Sequence, residues 1–133
     1  MFESKIPLRF GDFDANSHVN NVAYFAILEQ GRIDFMHEVR RHGTMPAVII
    51  AHAEIDYIAS VPLGIRSVTV ATWVTKIGRS SFHLEHELTS RAGRAARAAS
   101  VLVVHEGDHG SRPLTDDERA SLAQYFRDAA TDS

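Results

Sequence analysis

The chain has 133 residues, 14 Lys+Arg against 17 Asp+Glu, and no cysteine. That length is read as one domain over 1–133, large enough for a real core. A formal net charge of −3 is wrong for a protein that neutralises phosphate backbones, so nucleic acid is not an expected partner. The missing thiols exclude disulfide scaffolds, thiolate nucleophiles and cysteine-based zinc sites. Glu3, Lys5 and Arg9 interrupt the N-terminus, and the longest aliphatic run, over 46–51, is far short of the ~20 residues that span a bilayer. The expected location is the cytoplasm, with no membrane partner. Only Lys5 and Lys76 are lysines, no glycines fall in GxGxxG or GxxxxGK[ST] spacing, and no serine stands in GxSxG. Schiff-base, nucleotide-fold and serine-hydrolase chemistry lose their motifs.

Residues 6–10 alternate apolar and polar, which predicts a short first strand. Residues 11–21, GDFDANSHVNN, form a polar stretch rich in side chains that bond to nearby backbone. Helical spacing follows over 22–39, with Val22, Phe25, Ala26, Ile33 and Met36 in phase and Asn20 or Asn21 as N-cap. The first half of that helix is apolar nearly all round, which predicts burial on every side. Gly31 in its interior costs about 1 kcal/mol against Ala, so close packing against another backbone is expected. Residues 49–58, 67–77, 81–91 and 94–105 read as strands rich in Val, Ile, Thr and aromatics. Short turns at Gly78-Arg79 and Ala92-Gly93 make the last three an antiparallel meander. Thr115-x-x-Glu118 is a capping box, and Leu122 and Phe126 give one apolar side of a short C-terminal helix. One long helix with enough antiparallel strand to wrap it predicts an α+β fold, a curved sheet around a central helix.

Four groups of residues invite a chemical reading. His105-Glu106-Gly107-Asp108-His109 matches HExxH, but its glycines and the following Pro113 predict a turn, whereas zinc needs both histidines on one helical face. His83 and His86 lie three apart on a predicted strand and so point to opposite faces, which disqualifies them as a metal pair. No metal ligand set is expected. Arg91, Arg94 and Arg97, with Arg79 at the neighbouring turn, form a loose basic patch: a solvated hairpin end, or a phosphate contact. The densest polar cluster runs from Asp12 to Asn21 and leads into the helix, where free N–H groups and the dipole favour negative charge. Asx turns plus a cap account for that composition as well as a reaction site does.

The run Arg9-Phe10-Gly11-Asp12-Phe13-Asp14, then Ser17-His18-Val19-Asn20-Asn21, Tyr24-Phe25, Glu29 and Arg32, resembles the opening of hot-dog-fold acyl-CoA thioesterases of the 4-hydroxybenzoyl-CoA thioesterase family. Gly78-Arg79-Ser80-Ser81-Phe82 is similar to that family's hairpin between its third and fourth strands. Ser17 stands where the family usually has Gly. The resemblance implies the hot-dog fold, with Asp14 as the catalytic carboxylate, either attacking the thioester or deprotonating a water. It implies the Asn21 backbone N–H as oxyanion donor, a role whose loss typically costs ~10²–10³ in rate. His18 and Asn20 would shape the loop and line the site, Tyr24 and Glu29 would line the acyl pocket, and Glu29 is the reserve carboxylate, with Arg32 as its partner. Arg79, Ser80 and Ser81 would meet coenzyme A. No cofactor is implied beyond the coenzyme A of the substrate. Homodimers that pair again into homotetramers are implied, with groups from both chains at each site. An acyl-carrier-protein thioesterase and a non-catalytic acyl-binding or assembly module are the alternatives.

Overall fold

The computed structural model describes residues 1–127. Strand β1 (Phe2–Pro7) is followed by helix α1 (Asn21–His42), then β2 (Val48–Tyr57), β3 (Ser67–Ile77), β4 (Ser81–Ser90), β5 (Gly93–Val104) and helix α2 (Asp116–Ala123), with single 3₁₀ turns at Phe10–Asp12 and Gly107–His109. The strands form one antiparallel sheet in the order β1-β3-β4-β5-β2, curved around α1. The meander expected for the last three strands is present, and β1 and β2 are its two edges.

The first strand lies earlier than the pattern over 6–10 predicts. Its inward residues are Phe2, Ser4 and Ile6, and it pairs with β3 from Phe2↔Thr72 to Pro7↔Ser67. Asp12 ends the extension by accepting the Arg9 backbone N–H at 2.7 Å, which pulls Phe10 into a 3₁₀ turn where it is exposed. The long helix begins one residue before the predicted span and ends three after it, with Asn20 as its cap.

Burial on every side of the helix's first half is not what the fold contains. Tyr24, Ile27 and Leu28 are buried, whereas Val22 is 76% exposed and Phe25 50%. The sheet covers one side of α1 only, and the other side opens beside β2, where Ile50, Tyr57 and Ile58 are exposed too. At Gly31 the close approach is present but comes from a side chain and not from the backbone that was expected: an added Cβ would lie 2.7 Å from Val70 Cγ1 on β3. At the C-terminus Leu122 is fully buried on α2, but Phe126 lies past the helix end, half exposed, in a parallel bridge with Val74.

The core has two apolar clusters. One gathers Ile6, Val19, Tyr24, Leu28, Val70, Leu88 and Ala96; the other gathers Phe35, Val39, Val74, Phe82, Leu84, Leu102 and Leu122. Between them runs a polar layer across three strands, in which the buried Thr72, His86 and Ser100 bond side chain to side chain.

Candidate active site

The two carboxylates of Asp12-Phe13-Asp14 do different work. Asp12 is buried and accepts from both the backbone N–H and the guanidinium of Arg9, at 2.7 and 3.1 Å. It builds the turn. Asp14 is exposed; its Oδ1 accepts from the N–H groups of Asn16 at 2.9 Å and His18 at 3.3 Å. Its Oδ2 has no hydrogen-bond partner among the described residues, so one carboxylate oxygen fixes the loop and the other is open.

The loop is tight because Ser17 takes φ +64°, left-handed backbone that a side chain resists. Asp14 N–H donates to His18 O at 2.8 Å and Ser17 N–H donates to Asp14 O at 3.1 Å. Residues 61–63 hold the loop from outside: Val19 N–H donates to Val61 O and Leu63 N–H to Ser17 O. The chain then enters α1. Asn20 Oδ1 accepts from Val22 N–H at 2.9 Å and Asn20 O accepts from Ala23 N–H at 3.0 Å. The Asn21 N–H has no acceptor among the described residues, and it stands at the positive end of a 22-residue helix.

Asp14, His18, Asn21 and Tyr24 thus lie around one cavity of about 250 Å³. Tyr57, Ile58 and Ser60 complete its wall. Tyr57 stacks edge-on against Tyr24, ring centres 5.0 Å apart, and donates its hydroxyl to Asn21 O at 3.2 Å. Burial pushes the Tyr24 phenol above its ordinary range, so it stays protonated. Asn20 belongs to the site as the cap that sets the helix end. Tyr57 and Ser60 went unpredicted; a tyrosine closing an alternating strand was the signal for the first, and nothing marks the second.

The other predicted site residues lie elsewhere in the chain. Glu29, two turns along α1, lines a second cavity of about 260 Å³ between α1 and β2, together with Phe25, Arg32, Ile50, His86 and Ser100. Its carboxylate is 4.0 Å from Arg32 Nη2. Arg79, Ser80 and Ser81 form the β3–β4 turn at the opposite end of the sheet from Asp14. There Ser80 O accepts from Val104 N–H, and Arg79 O accepts from Leu114 N–H and the Arg119 guanidinium. Of the remaining basic patch, Arg94 is 3.9 Å from Glu87 and Arg91 is exposed. His105 sits in a bridge with Ser111 and His109 ends a 3₁₀ turn, so the HExxH run has no helical face. His86 is buried inside the sheet while His83 is on the outer side, as their spacing requires.

Residues 8–126 match the family model of the Thioesterase-like superfamily. The chain belongs to that superfamily. The match is to the superfamily as a whole rather than to the 4-hydroxybenzoyl-CoA branch. This thioesterase-like chain superposes on a predicted thioesterase from Bacillus stearothermophilus with a TM-score of 0.85 and 26% identity, over 97% of this chain and 98% of the other. A thioesterase from Thermus thermophilus, solved with coenzyme A and zinc, gives 0.78 and 30%, over 90% and 95%. The YsmA protein of Bacillus subtilis, itself uncharacterized, is 22% identical over 125 residues, 91% of this chain and 84% of that protein. The curved sheet around one long helix is the hot-dog fold of these thioesterases.

Proposed function

We propose that the chain hydrolyses the thioester of an acyl-CoA to a free acid and coenzyme A, with Asp14 as the reacting carboxylate. One observation carries this: Asp14, with its open Oδ2, and Asn21, with its unpartnered N–H, line the same cavity. In the general-base route Asp14 takes a proton from water, and the water oxygen bonds to the acyl carbon. The carbonyl oxygen becomes an oxyanion that accepts from Asn21 N–H. Collapse breaks the carbon–sulfur bond, and the proton on Asp14 passes to the leaving thiolate. In the nucleophilic route the Asp14 carboxylate bonds to the acyl carbon, the carbon–sulfur bond breaks and coenzyme A leaves as the thiolate. Water then cleaves the mixed anhydride to the free acid and the restored Asp14 carboxylate, and a proton from that water passes to the thiolate. Neither route uses a cofactor. The Thermus relative that holds coenzyme A supports a CoA ester over a carrier-bound one.

The site is completed by a second copy. β2 is an unpaired edge flanked by exposed Ile50, Ile58, Val22 and Phe25, an apolar surface of the kind that marks an interface. A two-fold axis through that edge pairs β2 with itself antiparallel. The Tyr57 end of one copy then lies beside the Val48 end of the other. This brings the Asp14 cavity of one copy toward the α1–β2 cavity of its mate, and toward the turn that carries Arg79, Ser80 and Ser81, the three residues proposed to meet coenzyme A. Such dimers pairing again would give the tetramer.

Thiol release from a panel of aromatic, short, branched and long acyl-CoAs tests the activity. Turnover of at least one member by the wild type, cut by about 10²-fold or more in Asp14→Asn, is expected. A wild type inert on the whole panel but active on acyl-carrier protein moves the substrate to the carrier; inertness on both leaves a non-catalytic module.

A further inference from the structure

The second cavity, between α1 and β2, has apolar walls and a floor of hydrogen-bond donors. Its walls are Phe25, Leu28, Ile50 and Ile55. At its floor stands Arg32, whose side chain is only 13% exposed. A guanidinium has five donors and is costly to bury without acceptors. Here its one charged neighbour is Glu29, 4.0 Å away on a side chain that is 64% exposed, and no hydrogen bond reaches it among the described residues. The other carboxylate at the cavity, Glu54, points to the outer face of β2, opposite Ala99, and lies 3.7 Å from His52.

Ser100 supplies the second donor, and the polar layer dictates that it donates. His86 is buried, with Nδ1 3.0 Å from Thr72 Oγ1 and Nε2 3.3 Å from Ser100 Oγ. Burial and the nearby Arg32 charge hold its pKa down, at about 3, so the ring is neutral and carries one proton. With that proton on Nε2, Thr72 O–H donates to Nδ1 and Nε2–H donates to Ser100 Oγ, leaving the Ser100 hydroxyl proton for the cavity. The other tautomer would strand the proton of the fully buried Thr72 hydroxyl, which has no further partner among the described residues.

We infer that this cavity receives the far end of the acyl group and selects one that ends in an oxygen acceptor, a carboxylate or a hydroxyl, with Arg32 as the specificity-determining residue and Ser100 as its second donor. This rests on the thioesterase reading and goes beyond it by naming the substrate class. At about 30 Å³ for each water-sized group, the volume of about 260 Å³ suits a short chain end rather than a long lipid.

The test compares CoA thioesters of equal chain length, one ending in a methyl group, one in a carboxylate and one in a hydroxyl. The wild type is expected to favour at least one oxygen-bearing member in kcat/KM by about ten-fold or more, the worth of one hydrogen bond to a charged group. The carboxylate and hydroxyl arms separate charge from hydrogen bonding. Arg32→Met is expected to bring that ratio to near one, Arg32→Lys to keep part of it, and Ser100→Ala to lower it about five-fold or less. A wild-type ratio near one at every chain length overturns the inference, as does a wild-type ratio retained in both Arg32→Met and Ser100→Ala. Should Arg32→Met fail to fold, the Ser100→Ala ratio decides. Calorimetric binding of the matching non-hydrolysable thioethers keeps the two readings apart. If no thioester is cleaved, the thioesterase reading fails, while the ratio of thioether affinities still decides the cavity.

Discussion

At the α2 end of the sheet every opening is closed. Phe35, Val39, Leu102 and Val104 are buried there beneath Leu114 and Leu122. Thr115 and Glu118 cap α2 reciprocally, and Arg112 holds the Glu118 carboxylate with two bonds of 2.9 Å. At the Asp14 end the same sheet and helix leave donors and acceptors unmatched, a strained serine in the loop, and an exposed strand edge. One end caps its own helix, pairs its buried carboxylate and contributes stability. The other leaves polar groups and a strand edge unmatched, and it is the end to which the proposed hydrolysis is assigned.

That contrast makes the two ends separable by mutation. Asp14→Asn should cost about 10²–10⁴ in kcat/KM, the range of a positioned base, and leave the melting temperature where it was; equal losses of both would break the contrast. Leu122→Ala should do the reverse. A fully buried leucine cut to alanine costs about 2–5 kcal/mol, read by urea unfolding, while kcat/KM per folded site is unchanged. Ile49→Lys places a charge on the open edge outside the cavity, and turnover should fall in step with the monomer fraction seen by sedimentation.

Acid should act on the two regions in different windows. His86 titrates near 6.5 when unfolded and at about 3 when folded, so the unfolded chain binds the extra proton. Stability is then full above pH 6.5 and falls by about 1.4 kcal/mol per pH unit as pH drops toward 3. Glu118, held at about 2 chiefly by Arg112, contributes above its ordinary value of 4.5 and loses that contribution only as pH falls from there toward 2. Urea midpoints at fixed protein concentration should therefore drop between pH 6.5 and 4.5 in the wild type and in Glu118→Gln, but not in His86→Leu. The smallest effect is Thr115→Ala, about 1 kcal/mol for a lost N-cap, with no change in turnover.

Most of this fold was legible because its patterns are local. The strands of the meander, both glycine turns, the α2 capping box and the close approach at Gly31 follow from residues near one another in the chain. The Asp14 loop was legible as a motif, and its hydrogen bonds separate a structural carboxylate from an open one. The burial of α1 was misread because an apolar helix face carries no mark of which surface will cover it; Val22 is left exposed and Phe25 borders a cavity beside β2 instead of packing into the core. The first strand was misplaced because Phe2 and Ser4 alternate as well as Leu8 and Phe10 do, and the Asp12 contact that turns the chain at Arg9 spans three residues of loop. The polar layer was visible in principle, since Thr72, His86 and Ser100 are polar residues at inward strand positions, but their alignment across three strands depends on register.

The pairing of β2 with β5 passes from Ile50↔Leu102 to His52↔Val101, leaving Ala51 as a bulge. Were Ala51 paired in regular alternation instead of bulged, either Ile50 or Ala53 would turn outward, yet both line the cavity over Arg32. Deleting Ala51 would leave Ile50 and Ala53 two apart in regular alternation, both still inward, whereas drawing Ala51 into the ladder would bring Ile49 inward and send Val48 and Ile50 to the outer face. The shape of this pocket is therefore written in how the strand is paired as well as in the identities of its residues: a register change that absorbed the bulge would turn a wall outward, where a point substitution would only trim it.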